Sequence, residues 1–298
     1  MGGFAGGDEG GYWDIDTLPT STDKQNNNKS KNTNRGKPYI ETSDSGYSIK
    51  AHAKINIFLK ITGYKDGYHT LLSRVMRVEK LYDTISFVPC KCETFTIEGC
   101  DEIPLESNTI YKAFAALNDF SADSDILDFF YEHKVVVTKR IPSQSGLGGS
   151  SSDAAAFMRL VKGVCNLILS TDELAKIAST ISPDLPFFIY NYPSANVSGF
   201  GEIVEPFEEE PLHFELYALD IECDKSLLYK TFKKHLLANV SLSSFFGWDK
   251  LDSKSILDLI SDPIILNDLY SSSLLAYPDL RKEAIEGWFF SGSTFFKY

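Results

Sequence analysis

No run of apolar residues in the 298-residue chain approaches the ~18 that a helix needs to cross a bilayer. The first residues, rich in Gly and carrying Asp8, lack the basic stretch and apolar segment of a secretory leader. The chain therefore reads as soluble, unexported and cytoplasmic. Positive charge is scarce as well: 29 Lys and Arg stand against 41 Asp and Glu, a net charge of -12. A field of that sign disfavours nonspecific attraction to nucleic acid or an anionic membrane, so neither is expected as a partner. Any phosphate-bearing ligand must be met by a local positive site. Cysteine is sparse and odd in number, at Cys90, Cys92, Cys100, Cys165 and Cys223. Cys90, Cys92 and Cys100 would offer a metal three thiolates, but a fourth ligand and paired C-x2-C spacing are missing, so reduced thiols are expected. Apolar material is not lacking. With 43% hydrophobic and 13% aromatic residues, the chain can bury the core of one large domain or two modest ones.

Residues 1–46 differ from the rest: a glycine-rich start is followed by the polar tract Gln25 to Asn34, which has no apolar periodicity to offset its ordering entropy. This stretch is expected to be a disordered extension. From Tyr47 the pattern is strict alternation, with Ile49, Ala51, Ala53, Ile55, Ile57, Leu59 and Ile61 on one parity, which reads as a strand with one buried face. The same period sets Lys54 and Asn56 side by side on the opposite face. A Lys65-Asp66-Gly67 turn then presents Tyr68 and His69. Further strands are expected over 72–80, 83–88, 134–141 and 214–221, a hairpin over 194–207, and a strand, turn and strand over 288–298. Helices are expected from a cap at Ser107 or Asn108 through Leu117, over 153–164, from a capping box at Ser170 and Glu173 to Ile181, over 226–237 and 255–260, and in parts of 267–285. Strands dominate the first half and helices the later part, which predicts an α+β fold with mixed sheets.

The most informative segment runs from Ile141 to Ala156. A strand ends at Pro142, a loop carries Gly146, Gly148 and Gly149, and a helix starts among Ser150, Ser151, Ser152 and Asp153. Glycines let backbone N–H groups close on an anion, and the first helical turn adds unpaired N–H groups at its positive end. The segment reads as a phosphate cradle. It is no Walker A loop, because no Lys follows the glycines, and no dinucleotide fingerprint, because the spacing is Gly-x-Gly-Gly.

This loop, together with Ala53-Lys54-Ile55-Asn56 and the stretches 67–71, 182–188, 267–269 and 291–294, resembles the GHMP kinase superfamily of small-molecule kinases, in order from about Tyr47 to the C-terminus. The resemblance implies a two-lobed fold, divided here as 47–190 and 191–298, with the active site between the lobes. It implies ATP as co-substrate and Mg2+, with the phosphates on Pro142, Gly146, Leu147, Gly148, Gly149, Ser150, Ser151 and Ser152. Which residue holds the metal, and the oligomeric state, stay open. Lys54 and Asp184 are implied as the catalytic pair. Asp184 lies between Pro183 and Pro186, which are expected to forbid regular helix and hold the carboxylate on a stiff loop, and Lys54 is expected to bridge that carboxylate and the reacting oxygen. Asn56, Tyr68, His69 and Tyr229 are implied to hold the cytidine half of an acceptor carrying a cytidine diphosphate, whose ring offers a face for stacking. Other acceptors, homoserine-like or mevalonate-like, and a catalytically silent sensor remain as alternatives; Gly67-Tyr68-His69 argues against the first, and retention of both Lys54 and Asp184 against the second. Departures from the pattern are Ser143, Gln144, Ser145 and Ser150 in place of glycines, Asp153 in place of Asn, and a shortened last motif, Ser291-Gly292-Ser293-Thr294.

Overall fold

The computed structural model describes residues 11–13, 40–43, 46–120 and 125–298. The extension expected over 1–46 lies largely outside them. Of its described part, β1 (Gly11–Trp13) and β2 (Glu41–Ser43) are short paired strands.

A long antiparallel hairpin, β3 (Gly46–Lys65) and β4 (Tyr68–Pro89), is the spine of the molecule. Its two-residue turn, Asp66-Gly67, has φ of 51° and 89°, the left-handed geometry that matches strand twist and that Gly adopts without cost. The two strands expected over 72–80 and 83–88 are one strand, β4. What reads as a break is a bulge: His52 pairs with Tyr82 and Ala53 with Val78, leaving Glu79 to Leu81 extra. The large sheet adds β5 (Ile97–Glu98) and β6 (His133–Thr138) beyond β4, giving the order β2-β3-β4-β6-β5, while β7 (Ser194–Gly199) pairs with the other half of β4 and β8 (Ile203–Pro206) with β7. Only β5 and β6 run parallel among these pairs. A second sheet has the order β1-β9-β11-β10, with β9 (Glu215–Ala218), β10 (Phe289–Ser291) and β11 (Thr294–Lys297).

The helices are α1 (Thr109–Phe120), α2 (Asp125–Glu132), α3 (Gly149–Val164), α4 (Thr171–Ser179), α5 (Leu185–Tyr190), α6 (Lys225–His235), α7 (Ser253–Leu259), α8 (Pro263–Leu266) and α9 (Asp268–Ala276). Their starts follow the expected chemistry where the sequence supplies it. The Asn108 side chain accepts the Ile110 N–H at 2.9 Å, and Ser170 and Glu173 close a reciprocal capping box. Helix α2 was not expected; two turns offer too few positions to display a 3.6-residue period. Nor do the prolines around Asp184 forbid helix: α5 begins at Leu185, and Pro186 sits in its first turn, where a missing N–H costs nothing.

Helices α1 to α5 bury their apolar faces on the large sheet, where Phe87, Phe130 and Phe157 are fully enclosed. Each such ring contributes roughly 1.5–3 kcal/mol. A second core joins the middle of β3 to the smaller sheet through Ile55, Phe58, Leu216, Trp248 and Phe296. The aliphatic row of β3 is therefore shared. Ile49 and Ala51 belong to the first core, Ala53, Ile55 and Ile57 to the second, and Leu59 and Ile61 to the first again, with register shifts at His52/Ala53 and Asn56/Phe58 where the row changes sides. The cysteine expectation is corrected too: Cys90 and Cys92 are bonded to each other, and Cys100, Cys165 and Cys223 are outside that disulfide.

Candidate active site

The bulged middle of β3, the loop after β6, the start of α3, the start of α5, helix α6 and the β10–β11 turn meet around one cavity of about 1190 Å3. Its volume exceeds the roughly 300–1,000 Å3 that one small ligand fills.

Lys54 and Asn56 do stand side by side: the Lys54 ammonium donates to Asn56 Oδ1 at 2.6 Å. The same ammonium donates to the Gly146 carbonyl at 2.6 Å, and the Lys54 backbone N–H donates to the Leu147 carbonyl at 2.9 Å. One residue thus pins the glycine loop from both its ends. Across the loop, Gly146 and Gly292 lie back to back, and a Cβ on either would come within 2.3 Å of the other's Cα. Both have positive φ, so these two positions demand glycine twice over. Ser293 and Thr294 hydroxyls donate to the Gln144 and Ser145 carbonyls, each at 2.8 Å. The shortened C-terminal motif is therefore docked on the loop it faces.

Helix α3 starts from Gly148, which is left-handed and has no side chain to cap the first turn. The orphan N–H groups there point at whatever enters, and they favour an anion. Pro142, Gly146, Gly148, Gly149, Ser150 and Ser151 line the cavity beside this end. Leu147 and Ser152 do not. Leu147 is buried in the second core, and the Ser152 hydroxyl donates to the His52 carbonyl at 2.7 Å.

Asp184 faces the cavity from the residue before α5, but its ion-pair partner is Lys225 at the first position of α6. Lys54, the residue expected to bridge this carboxylate and the reacting oxygen, acts on Asp184 through its field while its own hydrogen bonds go to Asn56 and Gly146. Burial opposes ionisation of Asp184, yet Lys225 and then Lys54 outweigh it and hold the carboxyl below its ordinary value. Burial lowers the Lys54 ammonium to about 8, against the pull of Asp184 and with the push of Lys225. Lys225 was missed by sequence reading, although it precedes Tyr229 by four residues and so shares its helix face.

Tyr229 also lines the cavity, and its ring lies 5.2 Å from that of His69. His69 is buried, flanked by Tyr64 as well, and its Nε2 has no partner. Burial, then Lys233, lower its pKa below the ordinary imidazole value. Tyr68 stands apart, 66% exposed, with its ring edge-on to Phe200. A further cluster at the cavity wall was also missed: Lys139 binds both Asp83 and Asp153, and Asp153 Oδ1 is buried without a partner.

The profile of the GHMP kinases N terminal domain matches residues 108–192. The 4-diphosphocytidyl-2-C-methyl-D-erythritol kinase of a Sulfurovum species is 59% identical over 253 residues, covering 84% of this chain and 98% of that protein. The enzyme of the same name from Helicobacter pylori is 35% identical over 261 residues, covering 82% and 93%. Among solved structures, a 4-(cytidine 5'-diphospho)-2C-methyl-D-erythritol kinase superposes with a TM-score of 0.63 at 23% identity, over 84% of this chain and 88% of the other. The Methanococcus jannaschii mevalonate kinase gives 0.56 at 15% identity, over 86% and 90%. The two structures share the α+β fold; the identities over nearly whole chains decide the rest: this chain belongs to the 4-diphosphocytidyl-2-C-methyl-D-erythritol kinases, a family of GHMP kinases.

Proposed function

We propose that this protein transfers the γ-phosphoryl group of ATP to the 2-hydroxyl of 4-diphosphocytidyl-2-C-methyl-D-erythritol, a step of non-mevalonate isoprenoid precursor synthesis. Membership of the GHMP kinases implies ATP. One observation carries the rest: the Asp184 carboxylate paired with Lys225, the Lys54 side chain and an uncapped helix start face the same cavity. Asp184 takes the hydroxyl proton as the acceptor oxygen bonds to the γ-phosphorus, the bond from that phosphorus to the β-bridging oxygen breaks, and ADP leaves. Lys54 stabilises the charge that gathers on the transferred group, while the orphan N–H groups of the α3 start and the loop from Pro142 to Gly149 orient the phosphates. Asn56, Tyr68, His69 and Tyr229 would hold the cytidine half of the acceptor, Tyr68 from its exposed position beside Phe200.

Among the described residues no group of three or more His, Cys, Asp or Glu is placed to hold a metal. A Mg2+ ion arriving with the nucleotide would neutralise charge on the transferred group. Among the described residues no helix is long and apolar enough to cross a membrane. A cytoplasmic site of action accords with substrates that are small and charged.

A coupled ADP-release assay with the cytidine-diphospho acceptor, run beside homoserine and mevalonate, tests the reading. Turnover on the first alone is expected. Asp184→Ala and Lys54→Ala should each lower it roughly 10²- to 10⁴-fold. No ADP release on the cytidine acceptor, or wild-type turnover in either variant, refutes the proposal.

A further inference from the structure

The base assigned to Asp184 is not held by the lysine of the Ala53–Asn56 motif. Its carboxylate is met from α6, by Lys225, whose main chain is fixed at both neighbours. Asp224 accepts the Ser226 N–H at 2.8 Å, and its own N–H donates to the Tyr277 hydroxyl at 2.9 Å. The Lys225 side chain is 58% exposed and that of Asp184 35%. An ion pair so open to water contributes at most about 1 kcal/mol to stability, so a purely structural role explains little. Four residues on, the same helix face presents Tyr229 to the cavity.

We infer that Lys225 is a positioning residue for the reaction proposed above: it acts through Asp184, holding the carboxylate oriented toward the cavity and ionised, and ties it to the helix that carries the acceptor-facing Tyr229. The groups facing Asp184 are Lys225 from α6, Lys54 from β3 and the Tyr229 phenol, while Glu222 and Asp224 line the same cavity from the segment leading into α6. Lys225 is the cation in direct contact, so its removal takes away the nearest charge favouring the ionised base. The inference rests on Asp184 serving as that base.

The experiment compares wild type, Lys225→Met and Lys225→Arg. In Lys225→Met, kcat should fall roughly 10²-fold with KM for ATP unchanged, and the acid limb of the pH–rate profile should move to higher pH, because the carboxyl then holds its proton longer. Lys225→Arg should restore most of both. A Lys225→Met enzyme with wild-type kcat and an unmoved acid limb overturns the inference. The readout independent of catalysis is 13C NMR of the labelled Asp carboxylates, with Asp184→Asn identifying the resonance. The Asp184 titration should move up in Lys225→Met, and an unmoved titration overturns the pairing. If wild type were inactive on the cytidine acceptor, the reading of function would fall by itself, with the carboxylate titration still deciding whether Lys225 controls Asp184.

Discussion

Two lysine–carboxylate clusters face the same cavity in opposite charge ratio. In one, Lys139 lies between two carboxylates, Asp83 and Asp153; in the other, Asp184 lies among two lysines, Lys225 in contact and Lys54 through its field. In the first both carboxylates are buried. Asp83 is fully buried, one of its oxygens takes the Arg140 and Ile141 N–H groups, and the other takes Lys139, which also holds Asp153 of α3. Apart from Asp153 Oδ1, its carboxylate oxygens are spent on protein, so this cluster fastens the chain leaving β6 to the helix whose start faces the phosphates. The second keeps its valences within reach of a ligand. Its surplus is positive, as a site for transferring phosphoryl groups requires in a chain of net charge -12. Charge that is sealed in serves architecture, and charge left open serves chemistry.

Neutralising one lysine in each cluster breaks that contrast most directly. Lys139→Met leaves two carboxylates at a largely buried site without their cation, and should cost about 3–5 kcal/mol of unfolding free energy, toward the low end because the ammonium itself is partly solvated. Lys225→Met should change stability by at most about 1 kcal/mol. Equal losses in urea titrations of the two variants would show that the clusters do not differ in kind.

A smaller effect is expected where the loop between the clusters meets the C-terminal turn. Gly292→Ala would place a Cβ at a φ of 76° and within 2.3 Å of the Gly146 Cα, and should cost roughly 1–3 kcal/mol. Gly287→Ala, at a φ of 77° with nothing within 4 Å, reports the backbone part alone. Identical melting shifts in the two would mean that the turn yields without loss.

The contrast also marks how far the residues could be read in advance. The hairpin spine, the capped helices α1 and α4, and the glycine loop before α3 were legible because their signals are local: period, cap and turn chemistry within a few positions. Lys54 and Asn56 as neighbours followed from the strand period alone. The partner of Asp184 was not legible, because Lys225 lies 41 residues away and reaches it only once α6 is docked. The loop's first neighbour was also hidden: Gly146 meets Gly292 across about half the length of the chain. The prolines beside Asp184 misled because their cost depends on position in the helix, being severe inside and nil in the first turn. The aliphatic row of β3 showed that one face is buried, but not that bulges divide it between two cores.

The clusters also separate by pH. Burial and then Asp83 raise the Asp153 carboxyl to about 7, with Lys139 opposing. An unfolded Asp titrates near ~4, so between there and about 7 the folded protein holds a proton that the unfolded chain has lost. The stability from this group is therefore complete below the unfolded value and is lost as pH rises through the folded one. Asp153→Asn removes the linkage while keeping an oxygen for Lys139. Relative to wild type, the variant should gain stability between about pH 5 and pH 8, by about 2–3 kcal/mol. Urea titrations at the two pH values measure it. If the difference between variant and wild type is the same at both, Asp153 is ionised throughout, and the Lys139 cluster is balanced by charge alone and not by a shared proton.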